Sequence, residues 1–172
     1  MILKRFKEKS NKKYINSELK KRLVSESNKK IETIGVIVNI DETIHLNWFK
    51  TVAQLLNIEN NYVKLVAYTS AEKIEKEVGV STFNNKHLGW KGTIKHPDLK
   101  KFLSEDFDLL INYYTEDLTT LKLLSVASKA KFKVGILQSD ERLNDLIIKT
   151  ELSDFDTFKS ELIKYLNILN KI

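Results

Sequence analysis

The chain has 172 residues, 42% hydrophobic and 30% charged, with no cysteine. That is the size of one domain, too polar for a membrane protein and too apolar for a disordered one, and it excludes disulfides, thiolate nucleophiles and cysteine zinc sites together. The net charge is +6, yet residues 1–30 hold eleven Lys and Arg against three Glu, a net +8, which leaves 18 bases against 20 acids, or −2, for the other 142 residues.

Taken from the start, Met1-Ile2-Leu3-Lys4-Arg5-Phe6 has neither the apolar stretch nor the small-residue cleavage site of a secretory signal. No apolar run approaches the roughly 20 residues that span a bilayer, so a cytoplasmic protein whose mature chain starts here is expected. Residues 1–32 read as a basic, partly helical arm. Ile15, Leu19 and Leu23 recur at i, i+4, i+8, which predicts a helix from about Asn16 to Val24, capped by Ser17 or Asn16 and preceded by a frayed or separately docked piece. A cationic arm on a near-neutral body seeks polyanions: RNA, DNA or anionic lipid. The break between the apolar clusters disfavours the lipid surface, which needs one continuous apolar face.

Residues 33–172 read as a single α/β domain. Ile34 to Val38 is an expected buried strand, and His45 to Asn57 a helix with Leu46, Phe49, Val52, Ala53 and Leu56 inward. Tyr62 to Tyr68 is a strand, followed by a Ser70-capped polar helix that Gly79 could end. Val80 to Pro97 is irregular, Leu99 to Leu103 a short helix, Phe107 to Tyr113 a strand and Leu118 to Ala130 a strong helix. Phe132 to Leu137 and Leu143 to Lys149 are strands, and Phe155 to Leu169 is the closing helix. Alternation of strand and helix predicts a three-layer, mostly parallel sheet of Rossmann-like or flavodoxin-like type with helices on both faces.

Ligands of such folds bind beyond the carboxyl ends of the strands. Three loops there carry adjacent acids: Asp41-Glu42, Glu116-Asp117 and Asp140-Glu141. If they converge they could hold Mg²⁺ and a phosphorylated ligand, or supply a general base with His45 beside Asp41. The plainer reading is that these residues cap helices and pin loops. The first strand leads into Asn39-Ile40-Asp41-Glu42-Thr43 with no G-x-G-x-x-G, and the G-x-x-x-x-G-K-[ST], G-x-S-x-G and H-E-x-x-H patterns are absent too. A dinucleotide is therefore not expected, nor any other cofactor, and His87 and His96 lack a third partner for a metal.

Two further basic segments lie in the body. In Leu88-Gly89-Trp90-Lys91-Gly92-Thr93-Ile94-Lys95, a tryptophan between glycines could stack a base while Lys91 meets its phosphate; otherwise Trp90 simply pins a long connection to the core. Ser128-Lys129-Ala130-Lys131-Phe132-Lys133-Val134-Gly135 places three lysines at the amino edge of the sheet, where the arm could extend them. With Lys4, Arg5, Lys7, Lys9, Lys12, Lys13, Lys20, Lys21 and Arg22 of the arm, Trp90, Lys91, Lys129, Lys131 and Lys133 make up the candidate nucleic-acid contacts.

The Gly35-Val36-Ile37-Val38 strand with Asp41-Glu42, the Leu88 to Gly92 loop, Phe107 to Asn112 and the Ser128 to Gly135 run resemble a domain-of-unknown-function family of small α/β proteins from Bacteroidota. The resemblance covers nearly the whole chain. It implies a cytoplasmic α/β protein and carries no catalytic residues with it. The expected function is then a non-catalytic binding module whose arm contacts RNA or a ribonucleoprotein. The alternative is a small enzyme or sensor for a phosphorylated metabolite, using Asp41, Glu42, His45, Glu116 and Asp140.

Overall fold

A computed structural model describes residues 2–22, 29–42, 44–72, 80–136 and 140–172. Its centre is a six-stranded sheet in which every pairing is parallel. The strands are β1 (Ile34–Asn39), β2 (Val63–Tyr68), β3 (Ser81–Phe83), β4 (Leu109–Tyr113), β5 (Phe132–Ile136) and β6 (Leu146–Ile148), and the order across the sheet is β3-β2-β1-β4-β5-β6. This is the order of Rossmann-type sheets, with its switch point between β1 and β4.

Both faces are covered, which is why β1 and β4 are buried at every position. Ile34, Val36 and Val38 of β1 face one core with Phe49, Val52 and Ala53 of α2 (Trp48–Leu55) and Phe155, Phe158, Leu162 and Leu166 of α5 (Phe155–Ile168). Ile37 and Leu110 face the other, with Leu99 and Phe102 of α3 (Pro97–Ser104) and Leu121, Leu123 and Leu124 of α4 (Thr119–Ala127). Position 35 alternates with Ile34 and Val36 onto this second face, and it is glycine because a Cβ there would come within 2.7 Å of the Phe107 ring.

The basic N-terminal segment is one continuous helix, α1 (Ile2–Lys21), and not a helix that begins near Asn16. Apolar spacing missed its first half because that half docks through polar atoms. Lys7 Nζ donates to Leu88 O at 2.8 Å. Asn11, 2% exposed, donates to Gly89 O at 3.1 Å and accepts from Gly92 N at 3.0 Å. Farther along, Ile15 and Leu19 enter the second core. Asn16 and Ser17, expected as caps, are interior helix positions, and Asn16 Oδ1 accepts from Arg142. The continuation to Val24 lies outside the described residues.

Other differences are local. β3 is three residues long, too short to show a periodicity, and sits inside the segment expected to be irregular. The Leu143 to Lys149 strand shrinks to Leu146–Ile148 because Glu141–Leu143 forms a 3-10 turn that sends Leu143 into the second core. The polar helix expected after Ser70 falls largely on residues 73–79, outside the described residues.

Candidate functional site

The carboxyl-edge loops are cross-linked by their own acids. Asp41 accepts from Thr69 Oγ1 at 2.7 Å and Ser70 N at 2.6 Å, joining the loop after β1 to the loop after β2. Burial opposes ionisation of Asp41, but these hydrogen bonds outweigh it and hold its carboxyl below the ordinary range. Glu42 turns the other way. It accepts from Thr115 N at 3.0 Å and from the Thr115 hydroxyl, so its carboxylate bridges the loops after β1 and β4 at the switch point where a Rossmann-type sheet holds its ligand.

The remaining edge residues are dispersed among separate contacts. His45 is exposed, with its ring edge on Trp48 at 5.0 Å. Glu116 is exposed, and Asp117 pairs with Lys122. Asp140 accepts from Arg142 Nε at 2.9 Å and Nη2 at 2.8 Å, and this pairing, more than burial opposes it, lowers its pKa. Among the described residues no three His, Asp or Glu side chains are grouped to hold a metal ion. His87 and His96 stack edge-to-face at 4.5 Å, and His87 Nδ1 accepts from Asn84 N at 3.1 Å.

The opposite pattern holds for the cations. With 3.6 residues per turn, Lys9, Lys13 and Lys20 fall on the side of α1 away from Asn11, Ile15 and Leu19, with Arg5 and Lys12 on its flank, and all five are exposed. Arg5 to Lys20 spans about 22 Å at 1.5 Å per residue. Of these only Lys12 is ion-paired among the described residues, to Glu8 at 2.8 Å, so the ridge carries five positive charges against one negative. Lys4 turns instead into a cleft of about 210 Å³ between α1 and the start of α4.

At its far end the ridge meets the lysines of the α4–β5 connection. Lys21 and Arg22 line a cleft of about 420 Å³ with Lys129, Lys131 and Lys133. Lys21 pairs with Glu18 at 2.9 Å, Arg22 with Asp145 at 2.6 Å and Lys131 with Asp108 at 2.7 Å, which leaves five cations against three anions. Lys129 is exposed and has no ion-pair partner among the described residues. Lys133, 3% exposed, donates to Ser125 O at 2.6 Å and Ser128 O at 2.8 Å, capping the last turn of α4. Burial, aided by Arg22 and opposed by Asp145, lowers its pKa to about 8.

The sequence-derived contacts therefore sort by geometry. Lys4, Arg5, Lys9, Lys13, Lys20, Lys91 and Lys129 carry charge unpaired among the described residues; Lys12, Lys21, Arg22 and Lys131 are ion-paired. Lys7 and Lys133 are spent on backbone carbonyls. Burial, and then Lys95 and Lys4 nearby, lowers the pKa of Lys7. Sequence reasoning missed Asn11, whose polar side chain at a helical position in phase with Ile15 and Leu19 was the available signal. It missed the Glu42–Thr115 bridge as well, which no spacing announces.

A family model matches residues 7–169, from the first docked turn of α1 to the end of α5. The chain belongs to DUF6913, a family of unknown function. The DUF6913 match thus takes in α1 together with the sheet, in keeping with the shared core of the two. No curated protein and no solved structure matches the chain.

Proposed function

We propose that this DUF6913 chain is a non-catalytic binding module that attaches to RNA, free or in a ribonucleoprotein, through the outer face of α1 and the basic cleft at its end. One observation carries the reading: a docked helix whose buried side is fixed by Asn11, Ile15 and Leu19 holds Lys9, Lys13 and Lys20 outward in a row, with Arg5 and Lys12 exposed along its flank. Prearranged cations release counterions from a phosphate chain without first paying to order a flexible arm. The cleft extends the same row with Lys129. The edge acids support this reading over a metabolite site, since Asp41 and Glu42 are committed to Thr69, Ser70 and Thr115.

Purification from the protein's own cell extract at low salt tests it. The preparation is expected to show an absorbance ratio at 260 and 280 nm above that of protein alone, and to lose it on a high-salt, ribonuclease-treated wash. A ratio of pure protein at low salt, with no RNA recovered, would contradict it.

A further inference from the structure

We infer that the nucleic acid this surface takes is single-stranded, and that Trp90 is the platform on which one of its bases stacks. The inference rests on the RNA-binding reading above and specifies its substrate class.

Trp90 is 46% exposed and belongs to neither core, so it does not pin its loop. That task falls to Leu88, 3% exposed, which bridges to Ile94. The loop around the ring is nonetheless closely held. Gly89 N donates to Thr93 O at 2.7 Å, Thr93 N to Trp90 O at 3.0 Å and Lys95 N to His87 O at 2.8 Å. Lys91 and Gly92 both have positive φ, 51° and 76°. Gly92 is required twice over, since a Cβ there would stand 2.3 Å from the Tyr14 ring. A large indole left nearly half exposed on a tight turn is an expensive surface residue unless something covers it.

Its position says what would cover it. Asn11 clamps Gly89 and Gly92 to α1, and Tyr14 abuts Gly92, so the ring flanks the middle of the cationic helix with Lys91 beside it. Lys13 adjoins Tyr14 in the chain and lies about 100° around the helix from it, and Lys9 lies about one and a half turns back along α1, so a strand leaving the ring crosses the helix to reach the row. From Asn11 to the cleft at Arg22 the helix runs on the order of 16 Å, a track for a short stretch of phosphates. In a duplex the bases stack on one another and offer the indole no face. The major groove of A-form RNA is also too deep and narrow for a helix seated on a globule. A single strand has both a free base face and a backbone able to follow the row.

The test uses the whole chain with a labelled single-stranded RNA and the same sequence annealed into a duplex. The second tryptophan, Trp48, is stacked on Phe155 at 4.7 Å and serves as a fluorescence reference. Single-stranded RNA is expected to bind more tightly than duplex and to quench emission from Trp90. Trp90→Ala should weaken single-strand binding about ten- to a hundredfold and leave duplex binding unchanged, while Trp90→Phe keeps most of the affinity. If Trp90→Ala binds the single strand like wild type while Lys9→Glu/Lys13→Glu/Lys20→Glu loses affinity, the stacking inference is overturned and the phosphate-binding reading stands. If neither RNA binds wild type, both fall. Should Trp90→Ala melt early, wild type and Trp90→Phe decide: equal quenching of the two by single-stranded RNA would rule Trp90 out.

Discussion

Lys133 shows how a single side chain can be basic in sequence and unavailable in space. Its ammonium is buried and holds Ser125 O and Ser128 O at the end of α4, and its pKa falls to about 8. Between about 8 and the ordinary lysine value of 10.5 the unfolded chain binds a proton that the folded chain has released, so this group's contribution to stability rises with pH through that window. Replacement by Met removes the titration and strands two carbonyls, a cost that does not itself depend on pH. Urea unfolding of wild type and Lys133→Met across pH 7 to 10.5 is expected to show their difference shifting in favour of wild type as pH rises; a constant difference would mean that Lys133 is not desolvated.

At the scale of elements, α1 is joined to the body by two different chemistries. Its C-terminal half buries Ile15 and Leu19, which apolar spacing identified; its N-terminal half depends on Lys7 and Asn11, which apolar spacing cannot see. Asn11→Ala removes both bonds to the Trp90 loop and leaves Gly92 N and Gly89 O buried without their partner. A destabilisation of about 2 kcal/mol is expected, with faster amide exchange at Gly92; unchanged protection at Gly92 would show that the loop holds itself. For the same reason, truncation of residues 1–30 is a poor probe of RNA contact, since it strips Ile15 and Leu19 from the core. The strands of the body were legible because continuous apolar runs such as Ile34 to Val38 have one reading in a covered parallel sheet. β3, with three residues, leaves no such trace.

For the molecule as a whole, the parallel sheet and its two helical layers follow from the alternation of strands and helices, whereas the order of the strands, which alternation leaves open between Rossmann-like and flavodoxin-like, does not; the charge partition between residues 1–30 and the rest is plain in the composition. What the sequence could not show is convergence. Arg22 and Lys129 are distant in the chain, and only the docking of α1 across α4 sets them in one cleft. The acids of the carboxyl edge are adjacent in sequence pairs yet diverge, Asp41 toward β2 and Glu42 toward β4. No helix among the described residues is long and apolar enough to cross a membrane. The molecule presents a Rossmann-type body whose usual ligand crevice is bridged by its own side chains, and whose charge is gathered on the outside of one fixed helix.

The central claim is that this fixed row of cations draws the phosphate chain, and the salt dependence of binding tests it most directly. Lys9, Lys13 and Lys20 are exposed and unpaired among the described residues, so Lys9→Glu/Lys13→Glu/Lys20→Glu should fold as wild type does. With five phosphate contacts to a single-stranded RNA, the slope of log affinity against log salt is expected near −3.5, a loss of about a hundredfold between 50 and 200 mM salt, and the triple variant should lower the slope's magnitude by about 2. A triple variant that binds with wild-type affinity and an unchanged slope would contradict the account.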